Sequence, residues 1–171
     1  MADRPAALAE RMVSFGPFRL LPAQQLLLED EIPVRLGSRA LAVLTALDEA
    51  LVTIDRALAE ADHGGEEWCV PELLRIKGEL LLQREYPYIS AAENCCEKAL
   101  AIARQQGALF WELRSAMKLA ELWHQGGRTE EASDLLSAVY NQFTEGLETS
   151  DLKAARTLMD QLRGQSKNLP G

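Results

Sequence analysis

The side chains in this sequence that are best suited to metal binding or nucleophilic chemistry are three cysteines and two histidines. Cys69, Cys95 and Cys96 show no CxxC spacing, and adjacent cysteines on a helix project from different sides, so that they cannot bridge easily. His63 and His124 are far apart in the sequence. We therefore expect reduced cysteines that act as small apolar side chains, and no zinc site.

Sequence motifs of the common catalytic sites are missing as well. The sequence contains no GxSxG, HExxH or GxxxxGK(S/T) pattern, and the glycine pairs Gly64-Gly65 and Gly126-Gly127 lack a phosphate-loop context. The numerous carboxylates are expected to form solvated helix faces and not a paired acid–base site. We expect no enzyme, and we assign no catalytic residue, no metal ligand and no cofactor.

The charge of the chain is unevenly distributed. Residues 1–47 contain five arginines and five acidic residues, whereas residues 48–171 hold the other 13 basic and 21 acidic residues and so the whole net charge of −8. A phosphate backbone would be repelled by the second part and not attracted by the first, so nucleic acid is not expected as a partner.

The apolar runs are short, and this bears on the cellular compartment. Leu26-Leu27-Leu28 and Leu80-Leu81-Leu82 are typical of them, whereas a membrane span needs roughly 18–20 apolar residues. Residues 1–10 lack an apolar stretch of signal-peptide length. We expect a cytoplasmic protein without a membrane segment.

Short-spaced apolar residues predict strands in the N-terminal part. The runs are Val13, Phe15, Phe18 and Leu20 around Gly16-Pro17, then Gln25–Leu28 and Ile32–Leu36. The acidic turn Glu29-Asp30-Glu31 joins the last two runs. The alternation of Ile32, Val34 and Leu36 predicts one apolar face, and Pro33 favours an edge position.

An internal repeat begins after residue 48. A triplet of small, apolar and small or apolar residues occurs as Ala50, Ile54, Ala57, as Ala92, Cys96, Ala99, and as Ala132, Leu136, Val139, at offsets of 42 and 40 residues. A second series, 42 residues apart, precedes the last two triplets as Leu74, Gly78, Leu81 and as Ala116, Ala120, Trp123. Each unit is therefore predicted to be two helices, with a small residue at each crossing point.

Capping and glycine signals give the helix boundaries. Ser90 and Glu93 form a capping-box pattern, and Thr129 is a candidate cap. Gly107 and Gly126-Gly127 are expected to end helices. The predicted helices are 39–62, with Ser38 as its cap, then 67–84, 90–105, 109–125, 129–144 and 150–163.

These helical residues resemble a known family. The stretch Leu74–Ala99, with Gly78 and Ala92 at small-residue positions, looks like a tetratricopeptide repeat, and Leu119–Ala132 resembles the same unit. The period is about 40 residues, whereas the family uses about 34, and residues 85–89 look like an inserted loop. The resemblance implies a mainly α fold of antiparallel helical hairpins, stacked as a short solenoid.

The resemblance also implies a binding groove. In tetratricopeptide proteins the first helix of each hairpin lines an inner groove that takes a protein or peptide. By that likeness the partner-binding groove is lined by Glu72, Arg75, Glu79 and Gln83 in one repeat and by Arg114, Met117, Glu121 and His124 in the next. The alternative is that these are ordinary solvated side chains, because two full repeats make only a short groove. Trp68, Trp111 and Trp123 are expected in the core.

Two further likenesses point to bacterial transcriptional regulators. Residues 48–163 look like the C-terminal repeat region of large regulators that place a nucleotide-binding (NTPase-type) module before such an array. Phe15–Leu21 and Val34–Leu41 look like the opening strands and first helix of an OmpR/PhoB-type winged-helix DNA-binding domain. The recognition helix of that family is missing, because the chain goes straight into the repeats after Leu47. The likeness implies a shortened relative of such a regulator.

The expected organisation is a β-rich segment at 1–47, helical repeats at 48–163 and a flexible tail at 164–171. The expected function is a non-catalytic protein–protein interaction module, and the alternative is a DNA-binding regulator of the winged-helix type. A homodimer through residues 1–47 is also expected, because the absent domain parts would leave an apolar face without partners. The residues of that face are Phe15, Phe18, Leu20, Val34 and Leu36.

The charge distribution generates a first prediction. We expect the purified chain to form no sequence-dependent complex with DNA, because the acidic repeats repel phosphates and no recognition helix is expected. A gel-shift titration at low salt, with duplexes of equal length and different sequence, measures DNA binding and its dependence on sequence. A salt-sensitive complex of roughly nanomolar affinity that prefers one sequence would contradict it.

Overall fold

A computed structural model of the chain describes residues 12–15, 18–21, 24, 26–34, 38–64, 67–83 and 88–166. The elements in these residues are β1 (Val13–Phe15), β2 (Phe18–Leu21), β3 (Leu26–Glu29), β4 (Ile32–Val34), α1 (Ser38–Gly64), α2 (Val70–Leu82), α3 (Ile89–Gln106), α4 (Leu109–Gln125), α5 (Thr129–Tyr140) and α6 (Ser150–Ser166), with a 3-10 turn at Glu67–Cys69 before α2. The expected fold class, mainly α with stacked helical hairpins and a small N-terminal antiparallel sheet, is confirmed.

The contacts divide the chain into two compact units, Met1–Thr53 and Ile54–Gly171, and the division falls within α1. The boundary expected from the sequence, between residues 47 and 48, also lies within this helix. None of the helices among the described residues combines the length and the apolarity that crossing a bilayer requires.

The first unit contains an antiparallel four-stranded sheet in the order β1-β2-β3-β4. Its register pairs Leu20 with Leu27 and Leu27 with Val34, so these apolar side chains share one face. The two-residue turn between β3 and β4 places Asp30 and Glu31 at positive φ, 46° and 71°, which matches the twist of a tight hairpin. Pro33 lies on the edge strand β4, as predicted.

The core of this unit is small. Leu20 and Leu27 are buried, and Phe18 and Val34 of the sheet pack against them together with Leu44 of α1. The helix therefore covers the apolar face that the strands present.

Two expectations about this face are wrong. Ile32 is 69% exposed, so the alternation expected along β4 does not bury its first position, which adjoins the exposed turn. The expected face without partners is also wrong for its three described members, since Leu20 is buried and Phe18 and Val34, although only partly buried, pack against the core that Leu20 and Leu27 form. The side chains of Phe15 and Leu36 lie outside the described residues, and self-association through residues 1–47 stays a prediction.

The second unit stacks its helices in chain order. Each of α2 to α5 packs on the helix that follows it, and the first helices of successive hairpins also meet, α2 with α4 and α4 with α6. The repeated positions of the last two units lie in these contacts and are buried: Gly78, Leu81, Ala92, Cys96, Ala99, Ala116, Ala120, Ala132, Leu136 and Val139. Leu74 and Trp123 are only partly buried. Stacking thus hides an apolar stripe that no single hairpin could cover alone.

Gly78 marks the closest approach between α2 and α3. A Cβ atom at this position would lie 2.9 Å from Cys96 Sγ and 3.1 Å from the backbone oxygen of Ala92. Both distances are shorter than the usual contact of a Cβ atom, so a side chain would push the two helices apart. Cys96 is fully buried here, and burial raises the pKa of its thiol to about 12.

The helix ends are partly as expected. Gly107 ends α3 in a left-handed conformation with φ 65°, as predicted, and Gly127 has φ 83° after α4. The capping box is wrong, because α3 begins at Ile89 and Ser90 already lies within it, with no side-chain cap at Tyr88. Thr129 is likewise the first residue of α5 and not its cap.

Glu93, the other residue of the expected capping box, forms hydrogen bonds to side chains from other parts of the helical unit. Its Oε1 atom accepts a hydrogen bond of 2.6 Å from Trp123 Nε1 and a second one from Arg128 Nη2, and the Arg128 guanidinium lies 4.9 Å from the centroid of the Trp123 ring. Burial acts to raise the pKa of Glu93, but the hydrogen bonds from Arg128 and Trp123 and the Arg128 charge lower it overall. These three residues fasten α3 to the turn between α4 and α5.

The C-terminal boundaries also differ from the expectation. Helix α5 ends at Tyr140 and not at residue 144; Gly146, in the loop that follows, has a φ of 70° that an α-helix cannot contain. Helix α6 continues to Ser166, so residues 164–166 of the expected tail are helical, while 167–171 lie outside the described residues. Residues 85–87 of the expected inserted loop also lie outside them.

The close approach at Gly78 generates a second prediction. Gly78→Ala should lower the free energy of unfolding by about 1–2 kcal/mol, because overpacking outweighs the better helix propensity of alanine. Gly164→Ala is the matched control: it lies exposed in α6, where an added Cβ would meet no other atom within 4 Å, and should stabilise the protein by up to about 1 kcal/mol. Urea unfolding measures both. Equal stabilisation by the two substitutions would show that α2 and α3 do not meet closely at residue 78.

Candidate partner-binding surface

Helices α2, α4 and α6 carry a network of charged side chains on the side where they meet. We call its seven members the charged strip: Glu72, Arg75 and Glu79 on α2, Arg114, Lys118 and Glu121 on α4, and Asp151 on α6. The helical spacing of three or four residues places the members of each helix on one face.

Arg75 is the best-buried member of the strip, with 8% of its surface exposed. Its Nε and Nη2 atoms donate to the two carboxylate oxygens of Glu72 at 2.8 and 2.9 Å, and Nη1 lies 2.7 Å from Glu79 Oε1. This two-pronged geometry matches the planar guanidinium to the carboxylate. A buried cation on α2 is thereby compensated by two acids of the same helix.

Two cations of α4 connect the strip across the helices. Arg114 Nη1 lies 2.7 Å from Glu72 Oε1 on α2, and its Nε atom lies 3.9 Å from Asp151 Oδ2 on α6. Lys118 Nζ lies 2.6 Å from Glu121 Oε2 and 3.5 Å from Glu79 Oε1. Charges of opposite sign therefore alternate without interruption from α6 through α4 to α2.

The pKa values of the strip reflect this mutual compensation. Burial acts to raise the pKa of Glu72, but the hydrogen bonds and charge of Arg75, with the charge of Arg114, lower it overall. Burial acts to lower the pKa of Lys118, but Glu121 and Glu79 raise it overall. The hydrogen bond with Glu72 raises the pKa of Arg75 against its burial, with the help of Glu79. All three groups are held in their charged forms.

The strip borders a shallow depression of about 130 Å³. Its lining consists of Arg75, Glu79, Arg114, Met117, Lys118, Glu121 and Asp151. Met117 is partly buried and is the one apolar side chain among these residues. The depression is too small for a folded partner to enter, so it can accommodate only a single side chain of a partner protein.

The structure brings six of the eight sequence-predicted groove residues together, five as members of the strip and Met117 beside it. Gln83 instead ends α2 and is exposed, and His124 lies in the last turn of α4 with its Nδ1 atom 3.0 Å from Thr129 Oγ1. Sequence reasoning missed Lys118 and Asp151. Lys118 could have been found, because it follows Arg114 by one helical turn, whereas Asp151 joins only through the packing of α6 on α4.

A second surface lies where α2 and α4 begin, and its tryptophans were expected in the core. We call it the aromatic edge: Trp68, Phe110, Trp111 and Phe143. Trp68 is 64% and Phe110 46% exposed, so the core expectation is wrong for Trp68. The rings of Trp68 and Trp111 stack at 5.7 Å, and those of Phe110 and Phe143 meet edge to face at 5.1 Å.

A cavity of about 420 Å³ opens near this edge, between the α3–α4 turn and the loop that follows α5. It is lined by Arg104, Gly107, Leu109, Glu112 and Gln142. Arg104 Nε donates to Glu112 Oε1 at 2.8 Å, so the buried carboxylate of Glu112 is compensated. Among the residues that the structure describes, no group of three or more His, Cys, Asp and Glu side chains is arranged to hold a metal ion.

No protein-family model, curated protein or solved structure matches this chain. The likenesses to tetratricopeptide repeats and to bacterial regulators therefore stay predictions.

The depressed pKa of Glu72 generates a third prediction. Because its pKa in the folded protein lies below the ordinary value of 4.5, its contribution to stability is present above that pH and is lost as the pH falls through the folded value. Glu72→Gln should therefore cost about 2 kcal/mol at neutral pH and progressively less as the pH falls below 4.5.

Urea unfolding of wild type and variant at several pH values measures this difference. Glu97→Gln, at an exposed position of α3 with no ion pair among the described residues, should follow the wild-type curve. A Glu72→Gln cost that is independent of pH would mean that the carboxylate charge is not what stabilises the strip.

Proposed function

We propose that the helical repeats form a non-catalytic protein–protein interaction module, and that a protein or peptide partner lies along the charged strip. The observation that carries the proposal is the continuity of the strip over three helices. Ion pairs join α2 to α4 and α4 to α6, so a partner would meet one surface and not three separate ones.

The exposure of the strip supports this proposal. The side chains of Glu79, Arg114, Glu121 and Asp151 are 36–39% exposed although each is engaged in an ion pair. They are thus held in defined positions before a partner arrives, which reduces the conformational entropy lost on binding. Their alternating signs favour orientation and specificity of a complex more than its raw affinity.

A DNA-binding regulator of the winged-helix type is the second candidate. One observation favours it: a four-stranded antiparallel sheet followed by a helix is the element order that the winged-helix likeness implies. The net negative charge of the repeats argues against it, because they would repel a phosphate backbone. We therefore favour protein binding over DNA binding.

The test reverses one charge of the strip and, as a control, one charge outside it. A tagged chain is used to capture partners from an extract of the cells that produce it naturally. Arg114→Glu should weaken retention of a captured protein about tenfold or more, since a central interface charge is reversed. Arg156→Glu is the matched control, because Arg156 is exposed on α6 and lies outside the strip.

Thermal melting of each variant separates binding from folding. Retention is compared at a temperature well below the melting temperature of Arg114→Glu, so that a loss of retention there reports the interface and not unfolding. The proposal fails if no protein is captured, or if Arg114→Glu and Arg156→Glu retain the same partner equally well.

A further inference from the structure

The indole of Trp68 is exposed and yet held in place. Its ring stacks on Trp111 with an angle of 23° between the planes, and Gln106 Nε2 donates a hydrogen bond of 2.7 Å to the backbone oxygen of Glu67. The 3-10 turn that carries Trp68 is therefore attached to both α3 and α4. A large aromatic side chain fixed in this way loses little entropy when a partner covers it.

The aromatic edge consists of two ring pairs. Phe110 and Trp111 are consecutive residues in the first turn of α4, so the Trp68–Trp111 and Phe110–Phe143 pairs lie at the same end of this helix and on different sides of it. Leu147, in the loop before α6, is a further exposed apolar side chain, at 46%. Exposed, rigid tryptophan and phenylalanine are the side chains enriched at the energetic centres of protein interfaces.

The segments that carry this edge are acidic. Residues 67–73, 105–112 and 141–150 contain five glutamates and no lysine, arginine or histidine. Glu72, Glu112 and Glu148 are compensated by ion pairs with cations from outside these segments. Glu67 and Glu145 are exposed and form no ion pair with any other described residue.

We propose that the aromatic edge is the docking site of a basic segment of a protein partner. This inference rests on the proposed function as an interaction module and adds the chemistry of what is bound. An arginine guanidinium of the partner stacks on the free face of the Trp68 indole, where the ring quadrupole attracts it. The carboxylates of Glu67 and Glu145 supply the charge that the rest of the basic segment needs.

The chemistry of the edge favours this occupant over others. An acidic segment or a nucleic acid would meet the carboxylates of Glu67 and Glu145, and the surplus of acidic residues in the chain, −8 overall, repels both. A purely apolar segment would leave these carboxylates beside a dehydrated surface. A basic segment with arginine uses both the aromatic faces and the charge.

The test uses the full chain and short synthetic peptides that alternate glycine with arginine, with lysine or with glutamate. Intrinsic tryptophan fluorescence and the polarisation of a labelled peptide report binding at low and high salt. We expect the arginine peptide to bind most tightly, the lysine peptide more weakly and the glutamate peptide not at all, with affinity that falls as salt rises.

Variants assign the binding to the edge. Trp68→Ala should weaken binding of the arginine peptide about tenfold. Glu67→Gln/Glu145→Gln should weaken binding of this peptide several-fold and reduce the salt dependence of binding. Glu97→Gln/Glu130→Gln makes the same charge change at two exposed sites elsewhere and should leave the affinity unchanged. Circular dichroism confirms that each variant is folded.

The inference is overturned if the arginine peptide does not bind, if the glutamate peptide binds equally well, or if Trp68→Ala binds like wild type. Light scattering on the same samples adds a further outcome: self-association that Trp68→Ala abolishes would make a second copy of the chain the occupant and would also overturn it. Partner capture tests the charged strip, and peptide binding tests the aromatic edge. A failure of peptide binding with partner capture intact therefore refutes only this inference, and the absence of any captured partner refutes the proposed function.

Discussion

The helical unit depends on how closely its helices can approach where they cross. At Gly78 the space between α2 and α3 admits only a hydrogen atom, since a Cβ there would lie 2.9 Å from Cys96 Sγ. Alanines occupy the later crossings, and Ala99, Ala116 and Ala132 have no exposed surface. Such close packing leaves the separation of successive helices little room to vary. The ion pairs between helices depend on this close packing. A guanidinium on α4 reaches a carboxylate on α2 only if both helices pack closely on α3.

The helices could be predicted from the sequence because the signal is local and repeated. Small and apolar residues recur at the same positions of each unit, and this pattern determines which face is buried regardless of the partner helix. Features set by distant residues could not be predicted. Glu93 has the right spacing for a capping box with Ser90, yet it bonds Trp123 and Arg128, because a charged donor and an indole N–H compete successfully with a backbone amide. Trp68 was expected in the core on residue type alone, and its exposure depends on the turn that precedes α2.

Only part of the candidate site could be predicted from the sequence. Periodicity along α2 and α4 indicates which side chains share a face, but it does not show that their charges compensate one another. The charged strip and the aromatic edge consequently differ in what they offer a partner. In the strip, Arg75 and its neighbours already satisfy each other's charges. At the edge, Glu67 and Glu145 have no such compensation among the described residues, and Trp68 presents an open aromatic face. We propose that the strip orients a partner and that the edge attracts it.

The arrangement around Glu93 has a consequence for how this sequence can change over generations. One carboxylate oxygen serves both the indole of Trp123 and the guanidinium of Arg128, and the guanidinium in turn lies over the indole ring. A substitution of any one of the three leaves a partly buried donor or acceptor without its partner, whereas their joint replacement by apolar residues can be nearly neutral. The effects of the three substitutions are therefore strongly non-additive. Lineages that descend from this sequence should keep the trio intact or lose it as a unit, and sequences that carry only two of its members should be rare.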